Sequence, residues 1–551
     1  MVRIYTAAEA AALVPDGATV LVDGSGGGVN EPAAVLTGLE ARFLAEQHPR
    51  DLHLIHISGM GDGHGGGIDR FSHPGMVHRV IGGHWGWTPR MQELALTEAI
   101  EAYCLPQGTL SHLMRDIAAG RPGAISAVGL GTFIDPRHGG GRLNASAVDD
   151  IVQLIELGGQ EWLFTPAFPI DVAIIRGTRA DTRGNITMDG EGLLAETLSA
   201  AQAARNSGGI VIAQVRELVQ PGTLDPRRVR IPGVLVDALV VDPGQRLSFA
   251  VQDDPFMTGQ LRAPATSIDP MPLSVRKAIA RRAALELRRG DVINLGYGMP
   301  DGVASVLAEE GAQDQVTFTV EQGHIGGVPV GGSDFGMCVN PDASVDAGHQ
   351  FDWYDGGGFD VAVLSFAQLD AAGNVNVGRF SGRIPGVGGF INISQGAKRL
   401  VFVGTFVAGG SYSVGGERPI DVPEAGTPKL VDEVEQISFS AARALEVGQP
   451  VTYVTERAVF RLTPEGLELT ELAPGLDLTR DVLDHMRFKP LISAQLGEVD
   501  ARVYRPEQMR LTLPADPTTA APTTPATTTA ATTTADETGS NPTARKDGSS
   551  S

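Results

Sequence analysis

Very little of this chain is sulfur-bearing, aromatic or basic. Only two of its 551 residues are cysteine, Cys104 and Cys338. So sparse and distant a pair fits reduced thiols and excludes a disulfide framework or a thiolate metal site. Aromatic residues make up 5%, which excludes a core built mainly from large rings. No apolar run approaches the roughly 18 residues of a membrane span. The N-terminus also lacks the charged, apolar and small-residue layout of a signal peptide. The expectation is a soluble, cytoplasmic protein with no membrane partner. Lys and Arg number 43 against 65 Asp and Glu, a formal net charge of -22. That balance argues against nucleic acid as a partner, but a small anion held in a local positive pocket is compatible with it.

What the chain has is length and glycine. At 551 residues it exceeds one ordinary core, so two large domains are expected. Its 70 glycines point to tight turns and close backbone approaches. Thr6 and Glu9 form a capping box. Residues 18–23 then read as a buried strand, 24–28 as a Gly loop, and the stretch from about Asn30 as a helix with Val35, Leu36, Leu39 and Phe43 on one face. This is a βαβ unit without the GxGxxG fingerprint, so no dinucleotide is inferred. A second strand, 52–57, leads to the Gly loop 59–67. Seven of the twelve histidines fall within residues 48–84, but their spacing matches no ligand set and no metal is expected. Gln107 stands at the entrance of a helix striped by Leu110, Leu113 and Ile117.

The chain also repeats itself. Asp171, Asp181, Gly184 and Asn185 recur without a gap as Asp360, Asp370, Gly373 and Asn374. Residues 17–22 echo 290–295, the latter continuing through Asn294, Gly296, Gly298 and Pro300. Gly209 onward echoes Arg399 onward. Two half-chains of similar α/β fold follow: 1–243, a Pro/Asp/Gln-rich linker at 244–273, and 274–512. Residues 513–551, rich in Thr, Pro and Ala, read as a disordered tail. The helix over 274–289 has an apolar stripe of Val275, Ile279, Ala283 and Leu287. Its Arg276, Lys277, Arg281 and Arg282 read as a solvated face, with phosphate contact as the competing reading.

The stretch 316–341 stands apart. A β-branched run ends in Glu321, and glycines follow at 323, 326, 327, 331, 332 and 336. This reads either as a strand delivering a carboxylate among backbone amides or as a strand capped by an exposed Glu ahead of a flexible Gly loop. Aligning the halves puts Ile57 opposite Glu321, so only the second half offers an acid there. Residues 379–392 add Arg383 and the glycines Gly386, Gly388 and Gly389, which read either as amides aimed inward or as a plain Gly turn.

Several phrases together resemble the glutamate-dependent (family I) coenzyme A transferases, closest to single-chain acetate, propionate and 3-oxoacid types. The carriers are Glu321-Gln-Gly323-His-Ile-Gly326-Gly327-Val-Pro329 with Phe335-Gly336 and Asn340-Pro341, Leu105 to Leu110, Gly129 to Phe133, and Gly386 to Asn392. The resemblance covers roughly residues 1–510. The residue after the glutamate varies among such enzymes, and Gln322 stands there. The resemblance implies two pseudo-repeated open α/β domains of the CoA-transferase, sugar-isomerase-like type. Glu321 takes the place of the family's nucleophile, Gln107 that of its side-chain oxyanion donor, and Gly388 or Gly389 that of its backbone donor. Asn294, Gly296, Gly298, Pro300, Gly323, Gly326, Gly327, Asn340 and Arg383 are the expected substrate contacts. The implied reaction transfers CoA from acyl-CoA to a free, possibly 3-oxo, carboxylate through an acyl-glutamyl anhydride and a γ-glutamyl-CoA thioester. CoA is then a substrate, no cofactor is needed, and a homodimer or homotetramer is expected. A Glu of ordinary pKa, about 4.3, is ionised at neutral pH and needs no partner base. An acyl-CoA hydrolase on the same scaffold and a non-catalytic acyl-CoA or metabolite sensor are the competing readings.

Overall fold

The computed structural model describes residues 1–263, 270–415, 419–422 and 426–515. Part of the expected linker (264–269) and the tail from 516 lie outside these residues. The packed chain runs past the expected tail boundary: Leu513 is buried, and the Pro514 carbonyl accepts from the Arg289 N–H at 2.8 Å.

Two sheets organise the molecule. The first holds β1 (Arg3–Tyr5), β2 (Thr19–Val22), β3 (Leu52–His56), β4 (Val77–Gly82), β5 (Glu101–Cys104), β6 (Val172–Asp181), β7 (Ile210–Val219) and β8 (Ala238–Val241). These run parallel in the order β1-β8-β7-β6-β2-β3-β4-β5. The second has a parallel centre of β9 (Val292–Leu295), β10 (Thr317–Val320), β11 (Val361–Ser365), β12 (Arg399–Val403) and β13 (Val451–Val454), ordered β10-β9-β11-β12-β13. Antiparallel strands extend both of its sides. The central strands are continuous apolar runs, as Val361, Ala362, Val363 and Leu364 illustrate, because both faces of a parallel sheet are covered.

The internal repeat is physical. Asp171 accepts from the Thr19 N–H at 2.8 Å, and Asp360 from the Val292 N–H at 2.9 Å. Asp181 and Asp370 each accept from the backbone N–H of the Asn four residues on. Since Thr19 pairs with His53 and Val292 with Thr317, strand register places Ile57 and Glu321 at equivalent points. One echo is shifted. The Asp171 carbonyl receives the Ile210 N–H and the Asp360 carbonyl the Arg399 N–H, so Ile210, not Gly209, matches Arg399. A strand buried on both faces carries no alternation to fix its register.

Six helices bear on the site: α1 (Ala33–Glu46), α2 (Gln107–Ala118), α3 (Thr197–Asn206), α4 (Val275–Ala284), α5 (Ala347–Asp355) and α6 (Phe390–Gly396). Of the four α4 cations, Lys277, Arg281 and Arg282 are buried, and all four are committed to ion pairs. Lys277 and Arg281 are buried against Glu309 at 2.6 and 3.1 Å, and Arg282 against Glu471 at 2.7 Å. Arg276 is ion-paired with Asp301. Charges desolvated to this degree need their partners, so these residues tie α4 to its own half.

The halves are sewn along one seam. Helix α2 packs on α5, and Trp85 N–H donates to the Pro385 carbonyl at 2.6 Å. Ile384, Val387 and Ile391, from the second half of the chain, join the first half's core. The linker packs too: Leu247 is buried with Val29, Leu193 and Met337, and Gln245 bonds Gln214, Glu191 and the Gly177 carbonyl at 3.0 Å each.

Candidate active site

Strand β10 stops at Val320, and Glu321 is the first residue of the turn beyond it. Gly323 closes that turn with φ +116°, donating to the Val320 carbonyl at 2.9 Å. A Cβ there would fall 2.0 Å from the Val345 carbonyl oxygen. The carboxyl group is nearly buried, with 5% of the residue exposed. Asn294 Nδ2, on the adjacent strand β9, donates to Glu321 Oε2 at 3.2 Å, and Gln322 Nε2 donates to Oε1 at 3.3 Å. Behind Asn294, Tyr354 of α5 lies 3.2 Å from its amide and donates to Thr319 Oγ1 at 2.6 Å. Burial raises the Glu321 pKa above its ordinary value, while its own backbone N–H, Asn294 and Gln322 pull it back. The ordinary pKa assumed from the sequence is therefore corrected upward.

Glu321 opens into a cavity of about 970 Å³ between the halves, whose wall includes Gln107, Gly388, Gly389, Gly296 and Arg383. Gln107 is the first residue of α2, and its N–H donates to the Gly388 carbonyl at 2.8 Å. Asn392 Oδ1 accepts from Gly108 N–H at 3.1 Å, which holds that helix entrance in place. The two candidate glycines differ. Gly388, at φ +53°, already donates its N–H to the Gly83 carbonyl at 2.7 Å. Gly389 is the N-cap residue just before α6, its N–H has no partner among the described residues, and a Cβ on it would lie 3.2 Å from Glu321 Cγ.

The other expected contacts do not line the cavity. Gly323 shapes the turn. A side chain on Gly326 would strike Asp342, and one on Gly327 the Val339 carbonyl, so both are required by the hairpin. Asn340 brackets Ala263, bonding its N–H at 2.8 Å and its carbonyl at 3.1 Å. The Gly298 carbonyl accepts from Arg276 at 2.7 Å, and Pro300 is buried beside it. Asn294 acts behind the carboxylate and is not on the cavity wall.

The sequence reading missed an aromatic wall. Trp87 meets Tyr297 edge-on at 5.8 Å between centroids, and Tyr297 meets Phe335 at 5.4 Å. All three line the cavity, as does His84. Burial pushes the His84 imidazole down to about 4, so it is neutral at physiological pH, with Nδ1 accepting from Gly86 N–H at 3.3 Å. Tyr297 between two glycines of a strand-end loop was the available signal. Nothing in local spacing marks Trp87 or His84, which arrive from the other half.

Comparison with known proteins agrees with this architecture. Residues 4–242 match the family model described as coenzyme A transferase. The chain is 44% identical over 512 residues to caffeate CoA-transferase of Acetobacterium woodii, covering 92% of this chain and 98% of that one. It is 43% identical over 515 residues to acetate CoA-transferase YdiF of Escherichia coli (strain K12), covering 93% and 97%. A crystal structure of the E. coli O157:H7 acyl-CoA transferase YdiF, a thioester complex with CoA, superimposes with TM-score 0.88 at 41% identity, covering 94% of this chain and 98% of that one.

Proposed function

The chain belongs to the coenzyme A transferase family and is an enzyme moving CoA between an acyl-CoA and a carboxylate, and on that premise we propose that Glu321 is its nucleophile. The observation that supports this is a buried carboxylate, oriented by Asn294 and Gln322, that faces a cavity whose wall holds Gln107 and Gly389, and the Gln107 side-chain amide and the Gly389 N–H have no partner among the described residues. The Glu321 carboxylate attacks the thioester carbonyl, and the oxyanion formed is held by Gln107 and Gly389. Collapse expels CoA thiolate and leaves an acyl-glutamyl anhydride. The thiolate then attacks the glutamyl carbonyl, releasing the first carboxylate and leaving a γ-glutamyl-CoA thioester. An incoming carboxylate repeats the two steps in reverse order, and Glu321 returns unchanged. Gly389 is assigned over Gly388 because the Gly388 N–H is already spent on Gly83.

The acyl group sits against Trp87, Tyr297 and Phe335, a wall that suits a flat acyl chain as well as a short one. We further propose residues 1–243 and 274–512 as the functional halves, a homodimer or homotetramer, no resident cofactor and a cytoplasmic location. Incubation with acyl-CoA followed by borohydride reduction, or by heating and peptide mapping, is expected to modify or cleave the chain at Glu321 alone. An unmodified Glu321 in an enzyme that still transfers CoA overturns the reading. CoA release that is independent of added acetate or propionate marks a hydrolase instead. Light scattering in solution tests the assembly.

A further inference from the structure

Two cations stand on the cavity wall, Arg383 and Lys429, and neither has an ion pair among the described residues. Arg383 is exposed. Lys429 is half-buried, its Nζ lies 4.4 Å from the centre of the Phe366 ring, and it makes no side-chain hydrogen bond to any described residue. Its room is built in: a Cβ on Gly404 would come 2.9 Å from Nζ and 2.8 Å from Phe366. A desolvated ammonium that packs on an aromatic face and feels Glu456 only through space, with no ion pair among the described residues, is costly unless a ligand completes it. In a chain of net charge -22, a polyanionic ligand also needs such a local cation to be drawn in.

We propose that Lys429 binds a phosphate of the CoA diphosphate and so fixes how far the thioester lies from Glu321. The inference rests on the Glu321 reading above. Phe366 follows β11 and Gly404 follows β12, two and three strands from β10, which ends at Glu321. At the usual strand spacing that is a lateral distance of roughly 10–14 Å. The arm joining the CoA sulfur to its first phosphorus has about thirteen bonds, equivalent to some four extended residues, or roughly 15 Å. The arm covers the span with little slack, whereas the 3′-phosphate, beyond the ribose, overshoots it. Burial lowers the Lys429 pKa to about 8, with Glu456 opposing. The amine is therefore still mainly protonated at pH 7, and a bound phosphate stabilises its charge.

The test compares acyl-CoA, acyl-dephospho-CoA and acyl-pantetheine as donors for the wild type, Lys429→Met and Lys429→Arg. The expected result is a drop of about 10- to 100-fold in kcat/KM for Lys429→Met with both CoA donors, near-unchanged turnover of acyl-pantetheine, and partial recovery with Arg. Retained acyl-pantetheine turnover also shows that the variant is folded. A loss confined to acyl-CoA and absent with acyl-dephospho-CoA moves the contact to the 3′-phosphate and overturns the assignment. Equal losses on all donors, or a loss specific to a dicarboxylyl-CoA, overturn it as well. If Lys429→Met does not fold, lysine acetylation of the wild type decides: CoA must protect Lys429 where pantetheine does not. Reductive trapping at Glu321 in the wild type is run alongside. Trapping with an unaffected Lys429→Met variant refutes only the phosphate contact, and failed trapping refutes the nucleophile.

Discussion

The ends of β2 and β3 in the first half and of β9 and β10 in the second are the same piece of backbone carrying opposite chemistry. Register pairs Leu21 with Asn294, Ile57 with Glu321, and Asp23 with Gly296, whose N–H groups donate to the Ile174 and Val363 carbonyls. The first half fills its strand ends. Asp23 is buried and bonded by Thr197 of α3, close to Glu196, which is bonded by Ser111 of α2. Burial pushes these two acids up to about 6 and about 8, and the Asp23 charge raises Glu196 further. The second half leaves its strand end open, with Gly296 on the cavity wall and Glu321 facing the space. One copy fills its strand end and holds the α2 entrance at Gln107, and the other exposes the carboxylate proposed as the nucleophile.

Exchanging residues between the copies breaks this contrast in graded steps. Glu321→Ile, which gives the second half the first half's residue, is expected to cut transfer by about 10⁴-fold or more while leaving acyl-CoA binding measurable by calorimetry. Gln107→Ala tests whether the supporting half also contributes chemistry. A fall of about 10²- to 10³-fold in kcat is expected, with little change in KM. Asn294→Leu copies Leu21 and removes a donor that lowers the Glu321 pKa. Activity needs the carboxylate, so the acid limb of the kcat/KM profile should move to higher pH, with roughly a tenfold loss at neutral pH. The smallest effect is expected in the supporting half. Asp23 and Glu196 have folded pKa values above their unfolded ones, so the native state binds more protons and stability falls as pH rises from about 4 toward 8. Asp23→Asn keeps the Thr197 bond and should gain on the order of 1 kcal/mol in denaturant melts at pH 8, shrinking toward zero near pH 4.

The repeat and the placing of a carboxylate where a buried strand stops were legible in the sequence because both are local: a strand pattern, a Gly-Asn turn, a Glu after an apolar run. The Thr6–Glu9 capping box is likewise present as read. Whatever depends on long-range partners was not legible. The cations of α4 look solvated until Glu309 and Glu471 arrive from distant segments. Asn340, Gly326 and Gly327 look like ligand contacts because steric need and ligand need both select glycine and asparagine. Gly388 and Gly389 could not be separated, since only the Gly83 carbonyl, three hundred residues upstream, tells them apart.

Gly388 also has a mechanical consequence. Its N–H is bound to Gly83 and its carbonyl to the Gln107 N–H, while its own peptide bond leads directly into Gly389. The two proposed oxyanion donors, one from each half, are thus gauged from a single residue and not from the docking of two large bodies. Small breathing of the halves that keeps these two bonds leaves the backbone anchors of both donors in place. Motion that breaks them dismantles both sides together, so the enzyme should lose activity as a switch does, at the seam's opening threshold, and not in proportion to its loosening.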